Sequence, residues 1–334
     1  MPDLFNPQRR ALLGGAGLAA AQLALPSMAA AQGEASLGPI RQIRAGDLDV
    51  GYAQAGPDDG LPVLLMHGYP YDVHSYAEVS ALLAARGYRV IVPHLRGHGS
   101  TRFLDAAAPR NAQQSAVALD QIALLDALGI ERAVVAGFDW GARTACILAA
   151  LWPERCIGMV SAGGYIVTNL ANSRKPLPAA VEYSWWYQYY FATDNGRAGL
   201  AANRRDIARI LWTHNSPRWR FDDAAFERAA ASWDNPDYVD IVVHNYHWRL
   251  GLAPGERRYE RFEERLTTRP VIGVPSITLD GAYNGIVAAS DGKAFASRFG
   301  GPWSHRVVEA GHNVPQEAPQ AFADAVQDVA RVAG

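Results

Sequence analysis

Gly137-Phe138-Asp139-Trp140-Gly141 lies between an apolar run, Arg132-Ala133-Val134-Val135-Ala136, and a stretch of helical periodicity over 141–151. A strand running into a helix through a glycine-flanked turn presents one side chain at the apex, and the apex here carries Asp instead of the commoner Ser. That replacement selects the chemistry. A Ser so placed attacks acyl carbons, whereas a carboxylate can attack a saturated carbon and form an alkyl ester that water must later cleave. Asp139 could also be a plain helix N-cap, but capping has no need of the flanking glycines.

Around this turn, short apolar runs alternate with helical patterns, which predicts a mostly parallel sheet with helices on both faces. Strands are expected over 48–54, 63–66, 89–92, 132–136 and 157–161, with helices over 75–85, 114–128 and 141–151. The rhythm breaks between residues 165 and 269, a segment rich in Trp, Tyr and Arg without buried strand runs. It reads as an inserted helical cap. Strands resume over 274–279 and 306–308, with helices near 293–298 and 320–331. The expected organisation is therefore a core over 32–164 and 270–334 and a cap over 165–269.

Arg9-Arg10 precede an apolar, Ala- and Gly-rich stretch from Ala11 to Leu25, followed by Pro26 and Ala29-Ala30-Ala31. Residues 1–31 resemble a twin-arginine export signal, which implies export to the periplasm; an ordinary secretory signal and an uncleaved anchor are the alternatives. The stretch is shorter than the ~20 residues that span a bilayer, so no stable membrane insertion of the mature chain is expected. A net charge of −2 gives no reason to expect nucleic acid as a partner. Nearly half the residues are apolar, enough for a substantial core. Cys146 and Cys156 are expected to be buried free thiols, and no Cys/His spacing suggests a metal site.

Two more pieces stand in a telling order. His67-Gly68-Tyr69-Pro70 follows an early strand, where the Tyr69 backbone N–H could reach the turn and form an oxyanion hole with the Trp140 N–H. Gly311-His312-Asn313 follows a late strand, a place suited to a catalytic base. With Asp139 between them, and with Leu95-Arg96-Gly97-His98-Gly99-Ser100 like an Arg-Gly-x-Gly-x-Ser loop, the chain resembles the α/β-hydrolase superfamily, specifically its epoxide hydrolase and haloalkane dehalogenase branch. The resemblance covers nearly everything after the export segment. It implies an α/β-hydrolase fold, a small apolar electrophilic substrate, and neither metal nor organic cofactor. It also implies a mechanism: Asp139 forms the ester, and His312 activates the water that cleaves it.

The departures from that pattern matter as much. Resembling proteins carry an Asp in the loop after the strand at 274–279, and here Asn284 stands there. Asn can accept a hydrogen bond from an imidazole but cannot neutralise an imidazolium, so either Asn284 assists the base or Asp280 substitutes for the acid, with Asp291 a weaker candidate; a slow second step or lost turnover is the alternative. In the cap, Tyr187-Gln188-Tyr189-Tyr190-Phe191 resembles the first cap segment of epoxide hydrolases and makes Tyr187 the ring-opening acid, with Trp186 beside it toward substrate. The second family tyrosine precedes an Arg, but Trp248 precedes Arg249 here. Tyr246 is two residues off, an offset that points elsewhere on a regular helix but that a rotated or kinked helix would absorb, so Tyr246 and Trp248 are both expected toward substrate. Arg143, one turn beyond Asp139, stands where fluoroacetate dehalogenases use an Arg toward a substrate carboxylate, but those enzymes carry another Arg directly after the nucleophile, where Trp140 stands here; an ion pair is the expected role of Arg143 and substrate contact the alternative. The expected function is epoxide hydrolysis. Dehalogenation of a haloalkane or haloacid is the first alternative, and ligand binding with little turnover is the second.

Overall fold

A computed structural model describes residues 37–172 and 175–333. The expected export segment lies outside the described residues. Nine strands form one sheet: β1 Arg41–Ala45, β2 Leu48–Ala55, β3 Leu61–Met66, β4 Tyr88–Pro93, β5 Arg102–Phe103, β6 Ala133–Phe138, β7 Cys156–Ala162, β8 Ser276–Gly281 and β9 Trp303–Val308. Their order is β1-β2-β4-β3-β6-β7-β8-β9, with β5 pairing β2. β1, β2 and β5 pair antiparallel at one end; from β4 through β9 every pair is parallel.

Side chains alternate across a strand, and the alternation here divides the apolar residues into two cores. Val63 and Leu65 of β3 and Val134, Ala136 and Phe138 of β6 belong to one cluster; Leu64, Met66, Ala133 and Val135 belong to the other. Each core faces its own helices. Residues 77–85 and 319–333 cover the first face, and residues 140–151 cover the second. A fully buried strand such as β6 loses any apolar–polar alternation, which is why it reads as a continuous apolar run. The 293–298 segment is a 3₁₀ helix and not an α-helix, and β1 is an additional strand whose mostly exposed residues left no apolar pattern.

Between β7 and β8 the described residues contain helices and no strand. These span 179–184, 186–190, 194–215, 223–230, 238–249 and 260–267. Thr193 and Asp222 cap the third and fourth by accepting from the Gly196 and Ala225 N–H groups. The aromatic residues of this segment, Tyr187, Trp212, Phe226, Trp233, Tyr238 and Tyr246, are buried in the same cluster as Tyr69, Tyr71 and Trp140. The helices thus lie directly over the ends of the parallel strands. Cys146 and Cys156 are both buried free thiols.

Parallel pairing sends the loops after β3, β6, β8 and β9 out at one edge, where open α/β sheets carry their sites. Met66 pairs with Gly137, so the chain beyond β3 runs beside Asp139. Gly281 pairs with Val308, which sets the loop holding Asn284 beside the loop holding His312.

Candidate active site

Asp139 has φ 53° and ψ −120°, a backbone state costly for any residue but glycine. The flanking glycines make it attainable. A Cβ on Gly141 would fall 1.8 Å from the Met66 carbonyl oxygen, and one on Gly137 would fall 2.2 Å from the Gly141 carbonyl carbon. Only bare backbone lets helix 140–151 approach β3 and β6 this closely. The Asp139 side chain makes no capping hydrogen bond, so the N-cap reading fails. Its Oδ1 instead accepts from the Tyr69 N–H at 2.8 Å, and its Oδ2 lies 3.5 Å from His312 Nε2. Burial opposes its charge, but His312, the Tyr69 N–H and the Arg143 guanidinium outweigh burial and hold the carboxyl below its ordinary range.

The loop carrying His312 is braced from the end of helix 194–215. Ser216 Oγ accepts from the His312 N–H at 3.0 Å and donates to Glu317 Oε1 at 2.6 Å, while Glu317 Oε2 accepts from the Gly311 N–H at 2.7 Å. Neither Ser216 nor Glu317 belongs to a sequence motif; a Glu five residues past His312 was the available signal. On the other side of the ring, Asn284 Nδ2 lies 3.4 Å from His312 Nδ1. Asp280 also lines the cavity, and no hydrogen bond joins it to His312 among the described residues. Its Oδ2 accepts from the N–H and hydroxyl of Ser290, both at 2.9 Å, and lies 3.5 Å from His305 Nε2 on β9. Asp291 pairs with Lys293 in solvent.

His67 joins two loops. Its Nδ1 contacts the Gly68 carbonyl at 3.0 Å and its Nε2 accepts from the Leu95 N–H at 3.1 Å. The Leu95–Ser100 loop is fixed in turn by a buried two-point ion pair between Arg96 and Asp120, at 2.6 and 2.7 Å. The Tyr69 ring stacks on Trp140 and Tyr187.

A cavity of about 240 Å³ opens above Asp139. Asp139, His312, Tyr187, Arg143, Arg249 and Asn284 line it, with Ile166 and Val287 among its apolar wall. Tyr187 is buried, and burial together with the Asp139 charge pushes its phenol up to about 12. Tyr246 is not among the residues lining the cavity, but it packs against one that is. Its ring meets that of Tyr187 edge-on at 5.3 Å, and its hydroxyl accepts from Trp140 Nε1 at 3.4 Å. Burial, then Tyr187 and Asp139, raise its phenol well above the ordinary value. Trp248 and Trp186 are not the substrate contacts expected. Trp248 is buried without lining the cavity, and Trp186 packs on Tyr187 and Tyr190 while its neighbour Trp185 takes the wall position. Arg143 is buried, its Nε has no hydrogen-bond partner among the described residues, and burial plus the facing Arg249 bring it down to about 10. Arg249 was not anticipated as a wall residue. Among the described residues no group of three or more His, Cys, Asp or Glu could hold a metal ion, and no helix is long and apolar enough to cross a membrane.

Residues 62–227 match the family model of the alpha/beta hydrolase fold. A crystal structure from Klebsiella pneumoniae, of a protein provisionally named an epoxide hydrolase, is 52% identical, superposes with a TM-score of 0.87, and is matched over 88% of this chain and 98% of its own. Epoxide hydrolase B of Mycobacterium tuberculosis is 35% identical over 158 residues, 43% of this chain and 44% of that protein. Fluoroacetate dehalogenase of a Burkholderia species is 35% identical over 120 residues, 36% of this chain and 38% of its own. The chain thus spans less than half the length of these two curated relatives in the matched regions. With the sheet order, the strained Asp turn and the near-complete Klebsiella match in agreement, the chain belongs to the α/β-hydrolase superfamily, in its epoxide hydrolase branch.

Proposed function

We propose that this protein hydrolyses epoxides through a covalent ester on Asp139. The carboxylate oxygen bonds to an epoxide carbon, the carbon–oxygen bond of the ring breaks, and its electron pair leaves on the ring oxygen, which takes a proton from Tyr187 or Tyr246. Water then adds to the ester carbonyl carbon, giving up a proton to His312. The Tyr69 N–H, and the Trp140 N–H at the helix start, are the donors for the oxyanion formed there. Collapse of that adduct releases the alkyl oxygen, which takes the remaining proton of the added water as the second hydroxyl of a diol; the carboxylate is regenerated, and the proton held by His312 returns to the tyrosine phenolate. The observation that carries this reading is the buried Tyr187 phenol on the wall of the cavity that Asp139 lines, with the buried Tyr246 ring edge-on to it at 5.3 Å. A halide leaves already charged and needs no such acid.

Atom balance supplies the test. In a single turnover in ¹⁸O-water, the label is expected in the Asp139 carboxylate and not in the diol. Label in the diol would mean direct attack by water and would end the proposal.

A second reading has its own support. Arg143 and Arg249 bring two guanidinium groups to the cavity wall, and Arg143 Nε is unpartnered there, which suits a substrate bearing a carboxylate. Defluorination or dechlorination of a halo acid through the same Asp139 would use them. Release of halide from haloacetates, with simple epoxides left intact, would favour that activity.

A further inference from the structure

Asn284 offers His312 a hydrogen where an acidic partner would offer a lone pair. Its Oδ1 is already committed to the backbone, accepting from the Ile286 N–H at 2.9 Å and the Val287 N–H at 3.4 Å. Reversing the amide would turn its NH₂ against those two donors, so the turn itself fixes which end faces the imidazole. The end that faces His312 Nδ1, at 3.4 Å, is Nδ2. An amide nitrogen carries two hydrogens and accepts none. The contact is attractive only if Nδ1 presents its lone pair, which puts the ring proton on Nε2, toward Asp139 Oδ2 at 3.5 Å.

We infer that Asn284 is a positioning residue that holds neutral His312 as its Nε2–H tautomer and so makes cleavage of the Asp139 ester, not its formation, the slow half of turnover. This rests on alkylation of Asp139 as proposed above. Ester formation is untouched, because it asks nothing of His312 but a donor beside the carboxylate. Ester cleavage needs Nε2 to accept the proton of the attacking water as the new carbon–oxygen bond forms. The resting ring must first move its own proton to Nδ1, where it meets the Asn284 NH₂, and the imidazolium formed next keeps a hydrogen there as well. The same defect in a serine protease, Asp to Asn at the orienting position with geometry retained, costs about 10⁴ in rate through the wrong tautomer.

Asn284→Asp is the matched variant. One carboxylate oxygen keeps the bonds from the Ile286 and Val287 N–H groups, and the other faces Nδ1. Nitrogen-15 NMR of the full chain reads the tautomer directly: His312 is expected to carry its proton on Nε2 in the unaltered protein and on Nδ1 in Asn284→Asp. Time-resolved intact mass with styrene oxide reads the consequence. Ester decay is expected to be roughly 10²-fold faster or more in Asn284→Asp, below the 10⁴ ceiling of the protease case, with ester formation little changed. An Nδ1 proton in the unaltered protein, or equal decay in the two proteins, overturns the inference. If neither protein nor a His312→Gln variant forms any ester, the alkyl-ester function fails. The ring-nitrogen assignment still decides the role of Asn284 in that case: Nε2–H upholds the tautomer lock and Nδ1–H removes it.

Discussion

Replacing Tyr187 by Phe removes one hydroxyl from the cavity and leaves the ring stacked on Tyr69 and edge-on to Tyr246. Burial and the Asp139 charge bring that phenol to about 12, so it remains protonated across any practical assay range. It is still a far stronger acid than an alkoxide's conjugate acid, whose pKa is close to the 15.7 of water. The gap of about 4 units favours proton transfer to the opened ring by about 5 kcal/mol. General acids contribute about 10²–10⁴ in rate. Because Tyr246 lies beside Tyr187 and can share the work, the expected loss for Tyr187→Phe is at the lower end, about 10² in ester formation. Tyr246→Phe should cost as much or somewhat more, since it also strips Trp140 Nε1 of its acceptor, a loss of roughly 1–3 kcal/mol in stability. The double variant should fall well below either single one. The assay is ester formation by intact mass in a His312→Gln background, with styrene oxide and with a chloroalkane, alongside thermal melting to isolate the Trp140 effect. Slowing of both electrophiles to the same extent by Tyr187→Phe would refute the reasoning, because a halide needs no proton.

Two further expectations follow from the packing around the site. His94 and His98 are buried and each is pushed down to about 4, with burial the leading cause, and His67 beside them is lowered as well. The folded-state value lies below the ordinary 6.5, so the unfolded chain binds more protons and stability falls as pH drops from about 6.5 toward 4, by roughly 2 kcal/mol per ring at pH 5; urea unfolding at pH 7.5 and pH 5 should show it, and equal stability at both would contradict the burial of these rings. Gly141→Ala places a methyl 1.8 Å from the Met66 carbonyl oxygen and should cost about 3 kcal/mol or more; a melting temperature within a degree of the parent would mean that the helix and β3 can part without penalty.

How much of this was legible in the chain depends on how local the cause is. The Asp139 turn could be read because its steric reasons lie within Gly137 and Gly141 and the strand ahead of them. Tyr69 could be read because register with β6 carries the chain after β3 past the turn. The packing of Tyr246 on Tyr187 could not, since an i to i+2 offset separates two residues only if one narrow face of the helix is used. Helix 238–249 instead buries Tyr238, Ile241, Val242, Asn245, Tyr246 and Trp248 over a broad surface. Tyr246 and Arg249, three apart, then share a side, with the guanidinium 5.7 Å from the ring centroid. Asp280 looked available because its rival claimants, His305 and Ser290, become its neighbours only when β9 pairs with β8 and the loop folds back. Ser216 and Glu317 are 101 residues apart and carry no motif, yet together they clamp the backbone on either side of His312. The helical segment between β7 and β8 thus supports the His312 backbone through one hydroxyl, so on the proposed mechanism displacing the helix ending at Asn215 would slow ester cleavage.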